Sequence, residues 1–127
     1  MSKYDEMEAG PELDALVAEI VMGWKLKRFN DGGIVIIGDV PPDATHLICC
    51  PSHPRAFLWS PSQDIAAAWQ VVEKMQADGF EFTMRGHPDG WVEVAIFHYK
   101  RNLFGRWTEL APLAICVAAL KAGRFIP

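Results

Sequence analysis

The sequence predicts an α/β (α+β) fold, with helices packed on a small mixed or antiparallel sheet in the order α–β–(β)–α–β–β–α. Three observations carry this. Ser60–Met75, SPSQDIAAAWQVVEKM, reads as an amphipathic helix complete with its start signal. Phe80–Arg85 and Trp91–Lys100 alternate apolar and polar residues on either side of GHPDG, the pattern of two strands joined as a hairpin. Ile34–Val40, IVIIGDV, is rich in β-branched residues and apolar on both faces, which predicts a strand covered on both sides.

The first helix opens at Gly10–Pro11–Glu12, with proline in the first turn and an acid at the positive end of the helix dipole. Leu13, Leu16, Val17, Ile20 and Val21 follow at helical spacing, and Gly23 stops the helix. KLKRFNDGG is basic and ends in a turn signal. Residues 41–56 hold four prolines that interrupt any long element, although THLICC suits a short strand and AFLWS a few extended residues. In the second helix Ser60 is a candidate N-cap, with Pro61 first in the helix and Gln63 completing a capping box; Ser62 competes for the cap. The predicted buried stripe is Ile65, Ala68, Trp69, Val72 and Met75, with Gln70, Glu73, Lys74 and Ala77 facing away. On the hairpin, Phe80, Phe82 and Met84 share one face, and Val92, Val94 and Ile96 form the core face of the return strand. The last helix, Ala111–Ala122, contains LAICVAAL and is apolar all round until Lys121. Such a helix is buried on every side, and in a chain of this size the second side is expected at a subunit contact through Ala118.

Composition bounds the function. Half of the 127 residues are hydrophobic and 22% are charged, the balance of a folded domain. A net charge of −4 supplies no broad basic field for nucleic acid. The N-terminal stretch is acidic without an apolar core, so no signal peptide is expected, and no apolar run approaches the roughly 20 residues that cross a bilayer. Three cysteines, two of them adjacent, point to a reducing cytoplasm.

Three blocks, Met7–Trp24, Ser60–Met75 and Ala111–Ala122, together resemble the phage ABA-sandwich domain proteins, small products of bacteriophage and prophage genomes. The blocks are long and keep their order. The resemblance implies an α/β/α sandwich and a viral origin, and it brings no catalytic residues. It suggests a single domain over residues 1–127, with a flexible stretch at 1–9 and a variable insert at 25–56. Pro61–Gln63 departs from the usual text before Asp64–Ile65, and the Cys- and His-rich insert lies beyond what the resemblance covers.

Within that insert His46, Cys49, Cys50 and His53 supply zinc-type donors. Adjacent cysteines seldom reach one ion together, however, and the Cys-x2-Cys knuckle is missing, so no metal is expected. Cys49 or Cys50 would need His53 or His98 as a base and a cation to lower the thiol pKa; inert cysteines are the simpler reading, and Cys116 sits in an apolar helical stripe. NDGG and GHPDG lack the context of a phosphate loop, and Glu81 and Glu93 read as charges on a solvated face. The sequence therefore predicts neither an enzyme nor a cofactor.

The remaining signal is aromatic. Of five tryptophans, Trp69 is placed in the core by spacing, while Trp24, Trp59, Trp91 and Trp107 stand at element boundaries with cations nearby in sequence. An aromatic face beside a cation is what a nucleobase and its phosphates require. The expected ligand site is Trp59, Arg55 and Ser62, using the free N–H groups of a helix start at Ser62 and Gln63, with Trp24 and Arg28 second and Lys25 and Lys27 close by. The expectation is a non-enzymatic homo-oligomer in the host cytoplasm that captures a nucleotide-like small molecule, without nucleic-acid or membrane partners. The alternative is a protein–protein interaction module.

Overall fold

A computed structural model describes residues 7–37, 47–50, 58–98, 101–104 and 111–123. Helix α1, Pro11–Leu16, begins as expected with proline in its first turn and runs on as a π-helical turn over Val17–Val21. The wider turn changes which residues face inward: Asp14, Ala15 and Ala18 join Leu13, Val17 and Val21 in the interior, while Leu16 and Ile20 stay half-buried. Gly23 then takes a φ of 75°, a left-handed conformation that suits glycine, and the chain turns into a strand.

That strand, β1 (Lys25–Arg28), pairs antiparallel with β2 (Ile34–Ile37), Lys25 opposite Ile37 and Arg28 opposite Ile34. The NDGG turn signal is realised here, closed by the Phe29 N–H donating to the Gly33 carbonyl at 2.9 Å. β3 (Leu47–Cys49) completes a three-stranded antiparallel sheet in the order β1–β2–β3. The expectation that IVIIGDV is covered on both sides is corrected within its described part. Ile34 and Ile36 are buried, but Ile37 is 47% exposed and Val35 half-buried, because this antiparallel sheet rests on the core by one face.

Helix α2 spans Ile65–Ala77. Its start is also corrected. Residues 60–63 form a turn in which the Ser60 carbonyl accepts the N–H groups of Gln63 and Asp64, and Asp64 is the N-cap, its Oδ1 accepting the Ala66 N–H at 3.1 Å. Neither Ser60 nor Ser62 caps the helix. The buried stripe is Ala67, Ala68, Val71, Val72 and Met75, so Ile65 and Trp69 lie outside it.

Gly79, at φ 94°, leads into the hairpin of β4 (Glu81–Gly86) and β5 (Val92–His98), with Gly86 opposite Val92 and Phe82 opposite Ile96. β6 (Arg101–Phe104) pairs antiparallel with β5 and forms the second three-stranded sheet. Val94 and Ile96 are fully buried. Phe82 and Val92 are half-buried, and Met84 overhangs the core edge.

Helix α3, Ala111–Gly123, packs against β5, β6, α2 and the first helix. Residues Leu113–Leu120 and Ala122 are buried within the single chain. The apolar circumference therefore needs no neighbouring subunit: Ala118 is sealed inside its own fold. Among the described residues, three helices and two small antiparallel sheets make the predicted α+β class, and an apolar cluster gathers residues from all three helices and both sheets.

Candidate functional site

The site predicted around Trp59 and Trp24 is partly assembled. The Trp59 backbone N–H donates to the Leu47 carbonyl, tying the indole to β3. Its Nε1–H donates to Gln70 Oε1 of α2 at 2.7 Å, and its ring meets Trp24 with centroids 4.8 Å apart and planes inclined by 59°. With 2% of its surface exposed, Trp59 has no free face for a base; it backs Trp24. Trp24 is half-buried and is held by its own N–H donating to the Ala18 carbonyl at 2.9 Å, at the end of the π turn. Pairs of this kind are worth ~0.5–1.5 kcal/mol beyond their buried area, enough to fix the outer ring.

Ser62 is fully buried and serves the interior. Its N–H donates to Asp14 Oδ1 at 2.8 Å, and its Oγ accepts the Gly10 N–H at 3.0 Å. Because α2 starts at Ile65, Ser62 and Gln63 do not form the expected anion-binding helix start. Arg28 extends back to α1 and its π turn, pairing with Glu12 at 3.3 Å and Glu19 at 3.9 Å in an exposed setting. Lys25 and Lys27 point to the solvent side of β1, Lys27 Nζ lying 5.3 Å from the Phe29 ring centroid. Arg55 and Trp107 lie outside the described residues, as do His46 and His53 of the Cys/His cluster.

Cys49 and Cys50 are half-buried. Among the described residues no group of three or more His, Cys, Asp and Glu is placed to hold a metal. Cys116 is in the core, as its spacing predicts; burial, and secondarily the Asp14 carboxylate, push its thiol pKa well above the ordinary value, which suits an inert side chain.

Two contributors were not read from the sequence. Asp14 is buried, a polar member of the set 14, 17, 18 and 21, whose i, i+3, i+4, i+7 spacing with Val17, Ala18 and Val21 marks a helical stripe. Gln70, expected to face away, holds the Trp59 indole. The assembled chemistry is a braced, half-exposed indole at the head of a strand carrying Lys25 and Lys27. That arrangement can stack a planar ring.

The family model for the phage ABA sandwich domain matches residues 15–120, running through segment 25–56. The chain belongs to that family. The ABA sandwich is also similar to a solved structure, a 2.0 Å crystal structure of a phage protein from Bacillus cereus ATCC 14579. The two are 24% identical, with a TM-score of 0.63 over 92% of this chain and 94% of the other, a likeness of fold. No curated protein matches significantly. Among the described residues, no helix of this ABA sandwich is long and apolar enough to cross a membrane.

Proposed function

We propose that this is a phage-encoded, non-enzymatic binding protein. In this reading it sequesters a nucleotide-derived immune signal in the host cytoplasm and so counters antiphage defence. The observation that supports it is the Trp24 indole, half-exposed, braced from behind by Trp59 and Gln70, and followed at once by the lysines of β1. Sequestration asks for affinity alone. A base stacked on Trp24 and phosphates met by Lys25 and Lys27 supply it without any catalytic group.

Calorimetry against a panel of cyclic dinucleotides and ADP-ribose-type nucleotides tests this. Stacking contributes ~1–3 kcal/mol per base, so Trp24→Ala is expected to weaken capture by about tenfold or more with the fold intact. Absence of binding across the panel, or unchanged affinity in folded Trp24→Ala, overturns the reading. The second reading, a protein–protein module acting as a phage accessory or as an inhibitor of a host protein, rests on the exposure of Ile65, Trp69 and Met84. A nucleotide mass released on heating the purified protein favours the first; an empty supernatant with a specific host protein captured favours the second.

A further inference from the structure

Two exposed surfaces have complementary chemistry. On α2, Ile65 and Trp69 stand one turn apart, at 50% and 45% exposure. Trp69 meets Phe82 of β4 edge-on at 5.7 Å, and Met84, two residues further along the same strand face, is 46% exposed. Glu73, exposed a turn beyond Trp69, and Asp64, the exposed N-cap next to Ile65, are acids bordering this apolar face. Lys74 is tied to Asp78 at 3.0 Å, whereas Glu73 makes no ion pair among the described residues. On the solvent side of the first sheet, Ile37 lies opposite Lys25 and Val35 opposite Lys27. That second face is apolar with a cationic border, and neither lysine forms an ion pair among the described residues.

We propose that these two faces bind one another between copies of this chain, the Ile65–Trp69–Met84 face of one copy seating on the Lys25–Lys27–Ile37 face of the next. Charge selects this pairing. A two-fold contact of either face with itself sets Glu73 against Glu73, or lysines against lysines, while the crossed contact sets Glu73 among Lys25 and Lys27 and still covers Trp69 and Ile37. A contact between two different faces is heterologous, so it propagates head to tail until it closes into a ring or continues as a filament. The apolar central helix plays no part, since the chain already encloses it. Lys25 and Lys27 are also the cations assigned to the ligand's phosphates, so assembly and capture compete for this face, and assembly is measured without nucleotide.

Sedimentation equilibrium of the full chain at micromolar concentration tests the proposal. The wild type is expected above monomer mass. Trp69→Glu is expected to be monomeric, and so is Lys25→Glu with Lys27→Glu, each with an unchanged circular dichroism spectrum. Mixed one to one, the two variants retain one good face each and are expected to form a dimer and nothing larger. Glu73→Lys alone is expected to weaken assembly more than tenfold, and combining it with the two lysine-to-glutamate changes to restore it; this arm decides if Trp69→Glu does not fold. A monomeric wild type, a folded variant that keeps the wild-type mass, a mixture that stays monomeric or grows past a dimer, or a failed charge exchange overturns it.

Discussion

Trp59 and Trp69 offer a comparison within one molecule. Trp59 is enclosed on every side: β3 takes its backbone N–H, Gln70 takes its indole N–H, and Trp24 covers its ring. Trp69 is held by one edge contact with Phe82 and leaves nearly half of its surface in solvent. A buried indole needs a partner for its N–H, and Trp59 has one supplied from a neighbouring helix. An indole left nearly half open beside an exposed methionine has apolar surface that its own chain does not cover. The first belongs to the architecture, the second to whatever the architecture meets.

The largest expected effect sets the two directly against each other. Trp59→Ala is expected to cost ~3–5 kcal/mol of stability, from lost burial and a residual cavity. Trp69→Ala should cost less, about 1–2 kcal/mol, because nearly half of its surface is already in solvent. Urea denaturation of both variants measures this, and equal losses would erase the distinction.

The sealed interior around Trp59 has a titratable reporter in Cys116. Its folded pKa is raised above the ordinary 9.0, so above that pH the unfolded chain releases a proton that the folded chain retains. Stability attached to this group is therefore complete below 9.0 and is lost as pH rises from there toward the folded value, with a slope approaching ~1.4 kcal/mol per pH unit. Denaturation midpoints from about pH 8 to about pH 10 should fall more steeply in wild type than in Cys116→Ala, once other alkaline titrations cancel in the difference. Parallel curves would mean that water reaches the thiol.

A smaller effect sharpens the account of the open side. The phase that turns Trp69 outward depends on a helix that begins after Asp64. Asp64→Ala should cost about 1 kcal/mol, as loss of an N-cap does, whereas Ser60→Ala should stay within ~0.5 kcal/mol. Thermal melts of the pair decide which residue starts the helix.

These two tryptophans also mark where sequence periodicity succeeds and where it stops. The existence of α2, the hairpin, the short strand at LIC and the buried last helix are all legible, because each rests on patterns of several residues with turn residues at the ends. The inward face of α2 is not. Ala66, Ala67 and Ala68 fit either face, and hydropathy alone prefers Ile65 and Trp69 inside. Packing against α3, itself rich in alanine, favours small side chains that let two helices approach, so Ala67 and Ala68 with Val71 take the interior. Ser60 and Ser62 read as the cap candidates, whereas Asp64 holds that place and starts the helix later. The β1 strand was hidden by its charge, since an exposed edge strand carries lysines and lacks a hydrophobic pattern. Of the expected site residues, the position of Trp24 at an element boundary is legible. The burial of Trp59 and Ser62 is not, because hydrogen bonds to Gln70 and Asp14 join distant segments and leave no local trace.

The enclosure of α3 has a consequence for how the protein is made. The helix that α2, β5, β6 and the first helix all pack against is the last of these elements to be synthesised. While a ribosome is still adding residues 1–110, α2 and β5 lack the helix they pack against, so Val71, Val72, Val94 and Ile96 are incompletely covered in the nascent chain. Folding waits for residues 111–123 to emerge and then closes contacts of long sequence separation at once. Chains released early, before Ala111, are accordingly expected to be the aggregating and proteolysed species, with little intermediate behaviour between them and the finished fold.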